Sequence, residues 1–211
     1  KVSINHILTY SLYIFSIAVL SFDLNSNQDN LIENLELPKG FEISIYAENI
    51  ESPRQITETN DGYIIVGSKK GDKIYALLDE NKDGYVNRRI LVAEGLQNPT
   101  GVTFYKDDLY FSEIDKIWVI RKIDKWLSLG TQSLPVKEIY FDNLPSNTWH
   151  GFKYLDFGPD NNLYIPVGVP CNICLEPQTK DKRFAAIHKY EDGNLVSVAE
   201  GVRNSVGFDW H

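Results

Sequence analysis

From residue 37 onward, short apolar runs alternate with clusters of Gly, Asn and Asp. Phe41-Glu42-Ile43-Ser44-Ile45-Tyr46 alternates with a period of two, the pattern of a strand with one buried face. Tyr63-Ile64-Ile65-Val66 is continuously apolar, as in a strand covered on both sides. Between such runs lie Asn60-Asp61-Gly62, Lys82-Asp83-Gly84, Asp107-Asp108, Asp160-Asn161-Asn162 and Asp192-Gly193-Asn194. Gly, Asn and Asp mark turns because they tolerate positive φ. No long segment past residue 37 keeps a 3.6-residue period, so the pattern predicts an all-β fold.

The turns recur in a larger frame. Ile45-Tyr46-Ala47-Glu48-Asn49-Ile50, Leu91-Val92-Ala93-Glu94-Gly95-Leu96, Ile139-Tyr140-Phe141-Asp142-Asn143-Leu144 and Val198-Ala199-Glu200-Gly201-Val202 share one grammar. Each is a β run, an acidic residue, Gly or Asn, then an aliphatic. The aliphatics at 50, 96, 144 and 202 are spaced by 46, 48 and 58 residues. After the first three, a polar turn leads to a buried strand (Tyr63-Ile64, Leu109-Tyr110-Phe111, Leu163-Tyr164-Ile165). A further strand follows each: Lys73–Leu77, Ile117–Ile120 and Ala186–Tyr190. A four-stranded unit repeating in this frame is a β-propeller blade. A β-sandwich is the competing architecture, but its turns need not recur in such a frame. Residues 37–211 hold about three and a half blades, against roughly 4–8 in closed propellers. The chain has no Met, even at position 1, and stops within an apolar run at Phe208-Asp209-Trp210. The expectation is therefore part of a longer propeller.

Residues 1–36 change the picture of location. Lys1 precedes the apolar run Ile7–Leu20, and Val19 and Ser21 provide small residues at a cleavage position. The run is shorter than the roughly 20 apolar residues of a membrane span. Residues 1–21 are therefore expected to be a signal peptide, with an uncleaved anchor or a buried helix as alternatives. Residues 22–36 read as a polar leader, and residues 37–211 as the incomplete propeller domain. The protein is expected to be periplasmic or secreted, and to touch a membrane only if the signal stays uncleaved. A net charge of −8 argues against nucleic acid as a partner.

Four places could carry chemistry. His150, in Thr148-Trp149-His150-Gly151, sits in a loop leading to a blade's inner strand, where a near-neutral base would reach the central channel. The alternative is a His packed beside Trp149. Arg203 and Asn204 occupy the corresponding loop of the next blade, as anion and polar ligands or as turn caps. Asp79, Asn81 and Asp83, followed by Gly84, copy the start of a calcium loop. Position 12 is Ile90, so the choice is a structural calcium or a plain polar hairpin turn. Cys171 and Cys174 are the only cysteines. An exported protein would join them as a disulfide pinning the long insertion between blades, with redox or metal roles as alternatives.

These residues together resemble the glucose/sorbosone dehydrogenase family, the soluble quinoprotein sugar dehydrogenases. The resemblance runs over about residues 37–211. It is carried by His150-Gly151-Phe152, Phe157-Gly158-Pro159-Asp160-Asn161-Asn162-Leu163-Tyr164, Gly168 and Gly201-Val202-Arg203-Asn204-Ser205-Val206-Gly207-Phe208. The Cys171–Cys174 insertion and the Leu78-Asp79-Glu80-Asn81-Lys82-Asp83-Gly84 turn are similar to its sorbosone-dehydrogenase-like branch. The resemblance implies a six-bladed propeller that binds pyrroloquinoline quinone (PQQ) and calcium and oxidises an aldose or related sugar aldehyde. His150 would be the general base, and Arg203 and Asn204 would contact the cofactor. The cofactor's calcium ligands would lie in later blades. A non-catalytic carbohydrate-binding or scaffold propeller, or a propeller lactonase, are the other functions this fold would allow.

Overall fold

The computed structural model describes residues 32, 34–130, 133–174 and 180–211. The expected signal peptide and most of the polar leader lie outside them. Among the described residues no helix is long and apolar enough to cross a membrane.

The chain divides into two units, Lys1–Ser44 and Ile45–His211. In the first, the described residues form turns: Phe41 N–H donates to the Pro38 carbonyl at 3.1 Å, with Gly40 at φ 90°. The alternating run Phe41–Tyr46 is not a strand. Period-two alternation shows which face would be buried, but a strand also needs a partner for its backbone groups.

The second unit holds three four-stranded antiparallel sheets, each in chain order. The first contains β1 (Pro53–Glu58), β2 (Ile64–Ser68), β3 (Ile74–Leu78) and β4 (Arg88–Ala93). The second contains β5 (Val102–Tyr105), β6 (Asp108–Ser112), β7 (Ile117–Ile120) and β8 (Glu138–Phe141). The third contains β9 (Asp156–Phe157), β10 (Leu163–Val167), β11 (Ala186–Glu191) and β12 (Asn194–Glu200). The opening strands of successive sheets pack side by side, β1 on β5 and β5 on β9. The sheets are thus blades of a partial β-propeller, with β1, β5 and β9 innermost. No strand is assigned within residues 201–211.

The recurring acidic-Gly motif closes a blade rather than opening one. Leu91–Ala93, Ile139–Phe141 and Val198–Ala199 fall in β4, β8 and β12, the outermost strands. Each outer strand also carries one extra residue at the equivalent place. Val92, Tyr140 and Val198 are the unpaired residues between Ile74/Tyr75, Ile117/Trp118 and Ile187/His188 of the neighbouring strand. A bulge there adds twist just before the chain leaves for the next blade.

Two apolar cores lie along the blades. One joins Ile65, Ile74, Val92, Val102, Leu109, Phe111 and Ile120. The other joins Ile117, Leu155, Leu163, Ile165 and Val167. The first also takes Ile123 and Leu127 from helix α1 (Ile123–Ser128), whose i,i+4 spacing puts both on one face. The sequence pattern missed α1 because six residues are too few to display a helical period.

Candidate functional site

His150 lies in the loop between β8 and β9, with a left-handed backbone at φ 49°. Gly151 N–H donates to the Thr148 carbonyl at 3.1 Å and closes a turn around it. The imidazole Nδ1 is 2.8 Å from the Val169 carbonyl oxygen. A carbonyl only accepts, so Nδ1 carries the proton, and the neutral ring keeps its lone pair on Nε2. The same Val169 residue donates its N–H to the Arg203 carbonyl at 3.0 Å. One residue just past β10 therefore links the His150 loop to the Arg203-Asn204 segment.

Gly168 makes this approach possible. A Cβ there would lie 2.6 Å from His150 Cβ, 2.8 Å from its carbonyl oxygen and 3.2 Å from Asn204 Oδ1. Gly67 of β2 is as tightly placed, against the Pro99 and Thr100 carbonyls of the segment that leads into the second blade.

His150 opens on a cavity of about 340 Å³ at the end of the blades where β1, β5 and β9 begin. Its walls include Arg54, Lys69, Phe152, Lys153, Tyr154 and Asn204. Arg54, Lys69 and Lys153 are cations, and among the described residues no carboxylate lines the cavity, although the chain carries a net charge of −8. The Lys69 ammonium stands 5.0 Å over the Phe152 ring. Lys153 is buried, and loss of hydration pushes its amine down to about 8, opposed by the charge of Asp115.

Gln55, at the edge of the cavity, ties three blades together. Its Nε2 donates to the Leu155 carbonyl at 2.6 Å. Its Oε1 accepts from Leu155 N–H at 3.0 Å and from Val102 N–H at 3.2 Å.

The other sequence candidates distribute as follows. Asn204 lines the cavity with His150. The Arg203 guanidinium does not; Nε donates to the Asn172 carbonyl at 3.1 Å and an Nη to Asn172 Oδ1 at 2.7 Å. Asn172 lies between Cys171 and Cys174, which are joined as a disulfide with Cα atoms 5.6 Å apart. Asp79, Asn81 and Asp83 form the β3–β4 turn, away from the cavity lining. Asp79 accepts from Asp83 N–H and Gly84 N–H at 3.2 and 2.8 Å, Asp83 accepts from Tyr85 N–H at 2.9 Å, and Asn81 donates to Asp83 at 2.9 Å. Among the described residues no group of three or more His, Cys, Asp or Glu could hold a metal ion.

Arg54, Gln55, Lys69 and Lys153 do not stand out in the sequence. The available signal was positional: Arg54 and Gln55 follow Pro53 at the start of the first inner strand, and Lys153 follows His150 by three residues.

The chain matches, over residues 28–208, the family described as a domain of unknown function (DUF7133). An uncharacterised protein of Borreliella burgdorferi is 30% identical over 190 residues, which are 87% of this chain and 48% of the relative. The chain thus spans about half the length of this curated relative. Among solved structures, the PQQ domain of a pyranose dehydrogenase from Coprinopsis cinerea, in its holo form, is similar with a TM-score of 0.61 and 18% identity, over 75% of this chain and 41% of that one. A family AA12 carbohydrate-active enzyme of Trichoderma reesei gives 0.61 and 17%, over 72% and 39%. A PQQ-bound aldose sugar dehydrogenase of Streptomyces coelicolor gives 0.50 and 16%, over 72% and 48%. At these identities the likeness is one of fold, and it agrees with the partial propeller.

Proposed function

The chain belongs to the DUF7133 family, and from the cavity around His150 we propose that the protein is part of an exported, PQQ-dependent oxidoreductase acting on an aldose or related sugar aldehyde. The observation that carries this reading is the His150 tautomer. Its Nδ1 proton is committed to Val169, so Nε2 is the base. The fold shared with PQQ-binding sugar dehydrogenases adds support.

The residues present fit the organic cofactor in one respect that can be tested. PQQ is an anionic quinone, and the described lining of the cavity sets three cations and no carboxylate against it. When bound, the quinone would supply a two-electron acceptor, which no side chain of the cavity provides. Arg54 and Lys69 would neutralise its carboxylates, and Asn204 would offer a donor and an acceptor beside His150. His150 would take the substrate hydroxyl proton at Nε2, and the resulting imidazolium would keep its Nδ1–H on the Val169 carbonyl. Arg203 would reach a ligand only after leaving Asn172, so its part is to hold the disulfide loop unless that contact is exchanged.

For calcium the described cavity residues do not fit, because hard cations favour carboxylate oxygens and none of these residues carries one. No step is routed through a metal. Asp79, Asn81 and Asp83 remain the proposed structural calcium turn. Export is supported by the Cys171–Cys174 disulfide, a bond that persists in oxidising compartments.

The test is dye-linked oxidation of aldoses by purified protein supplied with PQQ and calcium. His150→Ala should abolish turnover while PQQ still binds. Undiminished turnover in that variant would overturn the assignment of the base.

A further inference from the structure

Among the described residues, Lys153 is the only Lys or Arg that is buried, with 2% of its surface exposed. An amine gives up its hydration at that depth and needs a partner. Its Nζ donates to the carbonyl oxygen of Gly151, the residue directly after His150. The side chain therefore curls back beneath the loop that carries the base.

That loop needs support. His150 holds a left-handed backbone, which a side chain with a Cβ disfavours, and such conformations persist only where the surroundings over-determine them. Two supports are the Gly151–Thr148 turn and the Nδ1 contact to Val169. The Lys153 amine on the Gly151 carbonyl is the third.

We propose that Lys153 is a positioning residue for His150, its buried amine clamping the Gly151 carbonyl so that Nδ1 stays on Val169 and Nε2 stays free. The proposal rests on the reading of His150 as the base. The charged groups around the clamp are Asp115 and its partner Lys116 on the β6–β7 loop, 3.3 Å apart, Arg54 and Lys69 from the first blade, and His150 in its own loop. Of these, Asp115 favours the ammonium form, and burial outweighs it, leaving the amine titrating at about 8. The clamp is a charge-assisted hydrogen bond below that pH and a weaker neutral one above it.

The experiment is ¹⁵N NMR of the histidine rings in the 211-residue chain without cofactor. At neutral pH His150 should show the Nδ1–H tautomer. Its ring signals should carry an inflection near pH 8 that follows the Lys153 amine. Lys153→Arg should keep the tautomer and lose that inflection, and Lys153→Met should lose both. A wild-type ring with no inflection near pH 8, or a folded Lys153→Met that retains a pure Nδ1–H tautomer, would overturn the proposal. Where Lys153→Met does not fold, the wild-type titration and Lys153→Arg still decide it. The readout involves neither cofactor nor turnover, so it can fail while the oxidoreductase reading stands, and the reverse.

Discussion

At the scale of single residues, Lys153 also sets a stability signature. Its folded-state pKa is lowered from 10.5 to about 8 by burial. Between those values the unfolded chain binds more protons than the folded one, so stability rises with pH there. Below about 8 the penalty for the buried ammonium is fully present. A shift of this size corresponds to something on the order of 3 kcal/mol. Tyr140 acts the other way higher up, because burial pushes its phenol up to about 12 and its contribution fades above the unfolded value of 10. The clean window is therefore from pH 8 to about 10, where urea midpoints should rise for the wild type and stay flat for Lys153→Met. A second residue-scale prediction concerns Gly168. Ala there would press on His150 Cβ and on the His150 carbonyl, and backbone cannot swing away as a long side chain can. Gly168→Ala should destabilise by roughly 1–3 kcal/mol and disturb the His150 ring signals, while Gly207→Ala, with open space around it, should leave those signals in place. At this scale the sequence offered His150, Arg203 and Asn204 together, and the structure puts His150 and Asn204 on one cavity and Arg203 against Asn172. Arg203 is kept from the cavity by its two hydrogen bonds to Asn172. Lys153 and Gln55 were not legible, because Lys153 matters through a loop conformation and Gln55 through partners 47 and 100 residues away.

At the scale of elements, the legible part was what repeats. The three outer strands share an exit of an acidic residue followed by Gly or Asn and a bulge at the same step, so their grammar shows in one sequence. Phe41–Tyr46 carries a strand's alternation without being a strand, and α1 is a helix without room for a helix's period. Both failures come from tertiary context, which a local pattern does not contain. The Cys171–Cys174 insertion is an element with its own prediction. The disulfide closes a small ring, worth about 2 kcal/mol by loop-closure arithmetic for so short a loop. Its structural product is the placement of Asn172 against the Arg203 guanidinium. Reduction should raise hydrogen exchange at Asn172, Ile173 and Cys174 and leave β10 and β11 protected. Exchange that spreads through β10 would show that the insertion supports the whole blade and that its role is not local.

At the scale of the molecule, the question is what holds separate sheets in one body. Backbone ladders cannot, since each sheet is closed within itself. Apolar cores contribute, but they are non-directional and do not set the height of one inner strand against the next. Gln55 supplies that direction. A single amide on β1 meets Val102 N–H of the second blade and both backbone groups of Leu155 at the entry to the third. It lies at the cavity edge, so the same contacts fix the distance between Arg54 and the His150 loop across the site. Gln55→Leu would fill similar space and leave three backbone groups without partners. Its cost should be roughly 3 kcal/mol in denaturant unfolding, since an unmet buried polar group costs about 1–3 kcal/mol and water can rescue part of the set. The control is Asn60→Ala, which removes another link between the first two blades, the exposed Asn60–Asp107 hydrogen bond of 3.0 Å. That substitution should cost below about 1 kcal/mol, because water replaces an exposed bond with little loss. Equal costs for the two variants would mean that the blades are aligned by contact area alone. A larger loss for Gln55→Leu, together with shifted His150 ring signals, would show that blade alignment and site geometry depend on the same side chain.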